Sequence, residues 1–188
     1  YGKVMAEQVK DYFLALQQAL CNDIQDLDGD AIFSEDIIRG YQNSFSKPRV
    51  LSNGTHIEKA AVNFTYSVGE NLPPAASERR PSQAGKPFQA LSISLIIHPR
   101  NPFVPTTHMN LRFFSIEQDS PDWYFGGGYD LTPFYGFVED AVFWHENAQS
   151  ATGAHYPKMK KDCDDYFFLP HRDEQRGIGG IFFDDFTL

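Results

Sequence analysis

The chain has 188 residues, enough for one domain that buries roughly 70% of the surface its unfolded form exposes, and 41% of it is apolar, which excludes a disordered chain. Its 25 acidic and 16 basic side chains give a net charge of -9, which argues against nucleic-acid binding. Anionic small molecules stay open, because a few Arg side chains in one cleft outweigh screened surface charge.

No apolar run reaches membrane-spanning length, so no transmembrane segment is expected. Cys21 and Cys163 are far apart and lack metal-like spacing; they read as buried thiols in a reducing compartment. The expected location is the cytoplasm, or an organelle if a leader precedes Tyr1.

In chain order, Met5, Val9, Tyr12, Phe13, Leu16, Leu20 and Ile24 recur every three or four residues, which predicts an amphipathic helix ending at Asp28-Gly29-Asp30. From there to Lys47-Pro48 no period is visible. Val62, Phe64, Tyr66 and Val68 alternate with polar residues in a half-buried strand between His56 and Val68. Leu72 to Pro87, with Pro73, Pro74, Arg79 and Arg80, reads as a long loop. Strands are expected at Leu91–His98 and His108–Ile116, joined by a proline-rich connection and paired antiparallel. A third runs from Trp123 to Phe125 into Gly126-Gly127-Gly128, and a fourth covers Ile181 to Phe183. Thr132-Pro133 predicts the start of a helix reaching about Ala148, and Pro157 opens another that ends near Leu169-Pro170. No repeat or domain boundary is visible, so residues 1–188 form a single domain.

Alternation along the two paired strands puts Ser94 and His98 on one face with His108, Asn110 and Arg112, while Ile93, Leu95, Met109, Leu111 and Phe113 fill the reverse. A polar face on an antiparallel sheet is often only its wet side. Two imidazoles, an amide and a guanidinium are nevertheless an unusual choice for plain solvent contact. Phe134, Val138, Ala141, His145 and Ala148 fall on one helical stripe, which turns His145 inward. Such a histidine, like His171 after Pro170, is more commonly a hydrogen-bonded core residue than a catalyst. The three glycines before Asp130 give a backbone that a flat ligand can approach; equally, they make a strained turn with Asp130 starting a helix. Arg172 and Arg176 suit acidic groups or exposed pairs with Asp173 and Glu174.

Four strings, SLIIHPRNPFVPTTHMNLRFF, WYFGGGYDLTPFYGF, FWHENA and YPKMKKDCDDYFFLPHRDEQRGIGGIFFDDF, occur in this order, after GTHIEKAAVNFTYSVGENLPPAAS. Together, over about Arg49 to Asp185, they resemble the oxygen-dependent coproporphyrinogen III oxidases. The resemblance implies an α+β fold, a broad antiparallel sheet with helices on both faces, assembled as a homodimer. It further implies that the chain is the N-terminal and central part of a longer one. The activity implied is oxidative decarboxylation of two propionates of coproporphyrinogen III to vinyl groups, giving protoporphyrinogen IX in haem biosynthesis, with O2 as co-substrate.

By position, Ser94, Asn110, Leu111 and Arg112 match family substrate contacts and His108 a proton donor. Asp130 and Arg112 match the acid and arginine of substrate-centred proposals, and His98, His108, His145 and His171 match histidines assigned to a divalent metal. An electron-rich porphyrinogen pyrrole that loses its N–H proton can react with O2 directly, so the expected chemistry needs no cofactor. Two other readings are open: a histidine-metal oxygenase for another aromatic substrate, and a non-catalytic tetrapyrrole-binding module. Activity loss on chelation marks the first, and binding without O2 uptake the second.

Overall fold

The computed structural model describes residues 2–72, 78, 81–116 and 122–187. Tyr1 and Leu188, and within the expected Leu72–Pro87 loop Pro73, Pro74, Arg79 and Arg80, lie outside them.

The elements are α1 (Gly2–Asp28), β1 (Ser34–Glu35), β2 (Ile38–Arg39), β3 (Phe45–Ser52), β4 (Ile57–Gly69), β5 (Phe88–Pro99), β6 (Thr106–Ile116) and β7 (Asp122–Thr132). There follow α2 (Val138–Thr152), α3 (Tyr156–Phe167), the short pair β8 (Phe168–Leu169) and β9 (Glu174–Gln175), and β10 (Gly179–Phe186). Eight strands make one antiparallel sheet in the order β1-β3-β4-β5-β6-β7-β10, with β2 also on β3. The fold is α+β.

Register divides the sheet into two chemically different faces. Phe64 pairs with Ile93 and Ile93 with Leu111, while Val62 pairs with Leu95 and Leu95 with Met109, so apolar rows cross β4, β5 and β6. Helix α1 lies on them, burying Ala6, Val9, Phe13, Cys21 and Ile24 against Val62, Phe64, Ile93 and Phe113. At the β10 end of the same face Ala148 of α2 and Met159 of α3 close over Ile181, with Tyr129 and Phe183 beside them. The last turn of α3 reaches the opposite face, where Tyr166 stacks on Phe182 with centroids 4.3 Å apart.

The α1 stripe differs in detail from its apolar period. Tyr12 is exposed, and Gln17 takes an inward position. Its Nε2 donates to Lys47 O at 2.7 Å and to Val62 O at 2.9 Å, so a polar group sits in the core because it ties helix to strands. Both cysteines are buried and free, and burial pushes the Cys163 thiol up to about 12.

Three expectations need correcting. Phe45–Ser52, whose first half fell in the stretch without visible period, is a strand paired along its length with β4. The glycine triplet does not end the strand after Phe125: Gly126, Gly127 and Gly128 pair with Arg112, Leu111 and Asn110, and β7 continues to Thr132. Thr132-Pro133 therefore terminates a strand. Pro133 has no N–H to extend the ladder, and the helix begins later, at Val138, without a side-chain cap. Phe134 and Val138 are consequently exposed instead of on an inward stripe.

Asp28 joins α1 to the sheet. It accepts the backbone N–H groups of Ala31, Thr55, His56 and Ile57 at 2.8–3.1 Å. Burial pushes this carboxyl up, but the four donors more than reverse it and hold it far below the usual range. A depressed folded value means that the stabilisation is complete above the unfolded carboxyl pKa of about 3.9 and is lost as pH falls below it. Asp28→Ala is expected to lower the urea midpoint at pH 7. The difference from wild type should shrink between pH 4 and pH 2, as equilibrium unfolding followed by circular dichroism would record.

Candidate active site

The polar face carries the site. On it His108 lies opposite Asp130, Asn110 opposite Gly128 and Arg112 opposite Gly126, while Ser94 pairs with Asn110 from the far side. The strand ladder thus sets a carboxylate, an imidazole, an amide and a guanidinium side by side. His108, Asn110, Arg112, Asp130 and Arg176 border a cavity of about 270 Å³, and Tyr166, Phe167 and Phe182 form its aromatic wall.

Asp130 is 1% exposed. Its Oδ2 lies 2.9 Å from Arg176 Nη2 and 3.4 Å from His108 Nδ1, and accepts a hydrogen bond of 3.4 Å from Thr132 Oγ1. Every one of these contacts falls on Oδ2. Among the described residues none bonds Oδ1, which leaves that oxygen as the acceptor for a ligand. Burial would raise the carboxyl, but His108 and Arg176 outweigh it and hold it below the usual range, so it is ionised at neutral pH.

The His108 contact is electrostatic rather than a formed hydrogen bond, since at 3.4 Å the ring N–H is misaligned; Nδ1 is buried without a hydrogen-bond partner. Arg176 Nε is buried and unpartnered as well, and its guanidinium carbon sits 3.9 Å over the Phe167 ring. Two unsatisfied polar atoms beside one cavity mark a place prepared for a ligand.

Arg112 donates to Asn110 Oδ1 at 3.1 Å and lies 3.7 Å from Asp184 Oδ1. A bulge in β10 brings Asp184 here: between Phe183, opposite Gly127, and Phe186, opposite Phe125, the register shifts, and Asp185 takes φ 53°. Gly126 is needed at this point. A Cβ there would stand 2.7 Å from Asp184 Oδ1 and 2.9 Å from Arg112 Nη2.

The other expected site residues are placed differently. Leu111 turns its side chain to the core on the reverse face, and Ser94 lies one strand beyond the cavity. His98 is exposed beside Glu58 and Lys59. His171 is exposed in the turn between β8 and β9. His145 has both ring nitrogens engaged, Nε2 with Ile178 O at 2.8 Å and Nδ1 with Tyr156 OH at 2.9 Å. Among the described residues no three His, Cys, Asp or Glu side chains form a metal-holding group, so the four histidines do not fit a common metal site. Arg172 makes the exposed pair, 2.5 Å from Glu174, whereas Arg176 turns to Asp130. That role, and the aromatic wall of Tyr166 and Phe182, escaped sequence reasoning; only the β7–β10 register, Asp130 opposite Gly180, could have revealed them.

A comparison with protein-family models matches residues 8–188 to coproporphyrinogen III oxidase. The chain belongs to the coproporphyrinogen III oxidase family. It is thereby an oxidoreductase of porphyrin and haem biosynthesis, with coproporphyrinogen as the family's substrate. No described helix is long and apolar enough to cross a membrane.

Two variants probe this candidate site without reference to turnover. Arg176→Gln removes the guanidinium that faces Asp130, so its carboxyl should titrate at higher pH, read from the Asp130 carboxyl carbon by 13C NMR. Gly126→Ala should fold, because the atoms in its way end flexible side chains, yet displace Arg112 and weaken binding of a porphyrin carboxylate roughly 10-fold, the value of one lost charged hydrogen bond. Fluorescence quenching by coproporphyrin III measures it.

Proposed function

We propose that the chain carries the catalytic core for oxygen-dependent decarboxylation of coproporphyrinogen III to protoporphyrinogen IX. The observation that carries this reading is the buried, ionised Asp130, its partners all on Oδ2, lining a cavity that Arg112 also borders. A carboxylate held ionised while buried is a strong acceptor for pyrrole N–H, and an arginine one strand away suits a propionate on the same ring.

The cavity of about 270 Å³ is smaller than a tetrapyrrole needs. It suits one pyrrole with its propionate, while the rest of the macrocycle spreads over the open polar face toward Ser94. Asp130 Oδ1 takes or orients the pyrrole N–H proton, which raises electron density on the ring for reaction with O2. Arg112 holds the propionate, and Tyr166 and Phe182 offer a flat wall to the ring. For each propionate the β carbon gives up a hydrogen and the carboxylate leaves as CO2. Two electrons pass to O2, which leaves as hydrogen peroxide after taking up protons, and His108 beside Asp130 is placed to move them.

No metal step is assigned, because the histidines of the metal proposal are dispersed over separate elements. The protein acts as a homodimer in the cytoplasm or an organelle. Asp130→Ala is expected to abolish vinyl-product formation from coproporphyrinogen III in air while leaving the circular dichroism spectrum intact; near-normal turnover would sink the assigned role. Chelator-treated protein should keep its activity, and activity restored only by an added divalent metal would reverse the metal-free route.

A further inference from the structure

The run from Arg176 to Gly179 delivers the cation that faces Asp130, and it is tied down from several sides. Ile178 N donates to Leu131 O at 3.0 Å, on the strand that bears Asp130. From α2, Trp144 Nε1 donates to Gly179 O at 3.0 Å and His145 Nε2 lies 2.8 Å from Ile178 O. Gly177 takes φ 63°, and a Cβ there would meet Leu131 O at 2.2 Å, so the run is pressed against β7 without slack.

A carbonyl oxygen only accepts, so His145 Nε2 must carry the hydrogen it shares with Ile178. In the neutral ring Nδ1 is then bare and accepts from Tyr156 OH, 2.9 Å away at the start of α3. The tyrosine selects the tautomer and the imidazole holds the loop. Arg176 N also donates to Phe167 O at 3.3 Å, but along the side chain Nε lacks a partner, and the guanidinium relies on Asp130, the Phe167 ring and the backbone beneath it.

We propose that His145 is a positioning residue that holds Arg176 against Asp130 through the Ile178 carbonyl, with Tyr156 fixing its tautomer. The catalytic consequence, though not the geometry, rests on the proposed role of Asp130. This gives the inward histidine of α2 a task that needs no ligand of its own.

Side-chain 15N–1H NMR of Arg176 reads the pair directly, because a guanidinium held by a carboxylate rotates slowly and gives resolved Nη signals. These should be present in wild type, collapse to an average in His145→Ala, and return in His145→Gln, whose amide keeps an N–H for Ile178 O. Where His145→Ala fails to fold, Tyr156→Phe retains the ring but frees its tautomer and should broaden the same signals. With coproporphyrinogen III as substrate, His145→Ala should lower kcat by up to about 100-fold with a smaller change in KM. Adding it to Arg176→Ala should then cost little more than Arg176→Ala alone. Unchanged Arg176 signals in a folded His145→Ala protein, or fully additive losses, would overturn the proposal. A wild-type protein without turnover would count against the activity, and the NMR comparison would still decide the positioning role.

Discussion

A carboxylate that is 1% exposed stays ionised only if something replaces the water it has lost. For Asp130 that replacement comes from two different directions, His108 across the strand ladder and Arg176 from the segment leading into β10. Removing one partner from a buried pair costs roughly 3 kcal/mol or less here, since Arg176 is about a third exposed and solvent screens part of its field. The arrangement concentrates the contacts on one oxygen. A carboxylate with one oxygen anchored and the other open is rigid and still able to accept, which is what binding a pyrrole N–H requires.

The sheet makes this possible by separating two tasks. Its apolar face is covered by α1 over β4 to β6 and by α2 and α3 near β10, and it stabilises the fold. Its polar face gathers the candidate site from side chains whose spacing follows from antiparallel register. Gly126 in β7 leaves room on that face for Arg112 and Asp184, and the bulge in β10 turns Asp184 toward Arg112. Helices α2 and α3 contribute at a distance, by fixing the backbone that presents Arg176.

Period-two alternation made β4, β5 and β6 legible, and with them the common face of Ser94, His108, Asn110 and Arg112. The long strings pointed to the family that the comparison over residues 8–188 established. What stayed hidden depended on tertiary context. Gly126-Gly127-Gly128 looked like a break, because a glycine's local preference says nothing of the neighbouring strands that hold it extended. Thr132-Pro133 carries the same signal for the end of a strand as for the start of a helix. Gln17 faces the core although its type favours solvent, since its acceptors lie on strands 30 and 45 residues away. Arg176 was indistinguishable from Arg172 by sequence, and only the approach of β10 to β7 separates an exposed pair from a buried one.

The most direct measurement is the stoichiometry of the reaction with coproporphyrinogen III, following O2 uptake and CO2 release together while identifying the porphyrin formed. The account predicts one O2 consumed for each CO2 released, with a divinyl product and hydrogen peroxide. Tight binding of the tetrapyrrole without O2 uptake, or CO2 release without O2 consumption, would contradict it.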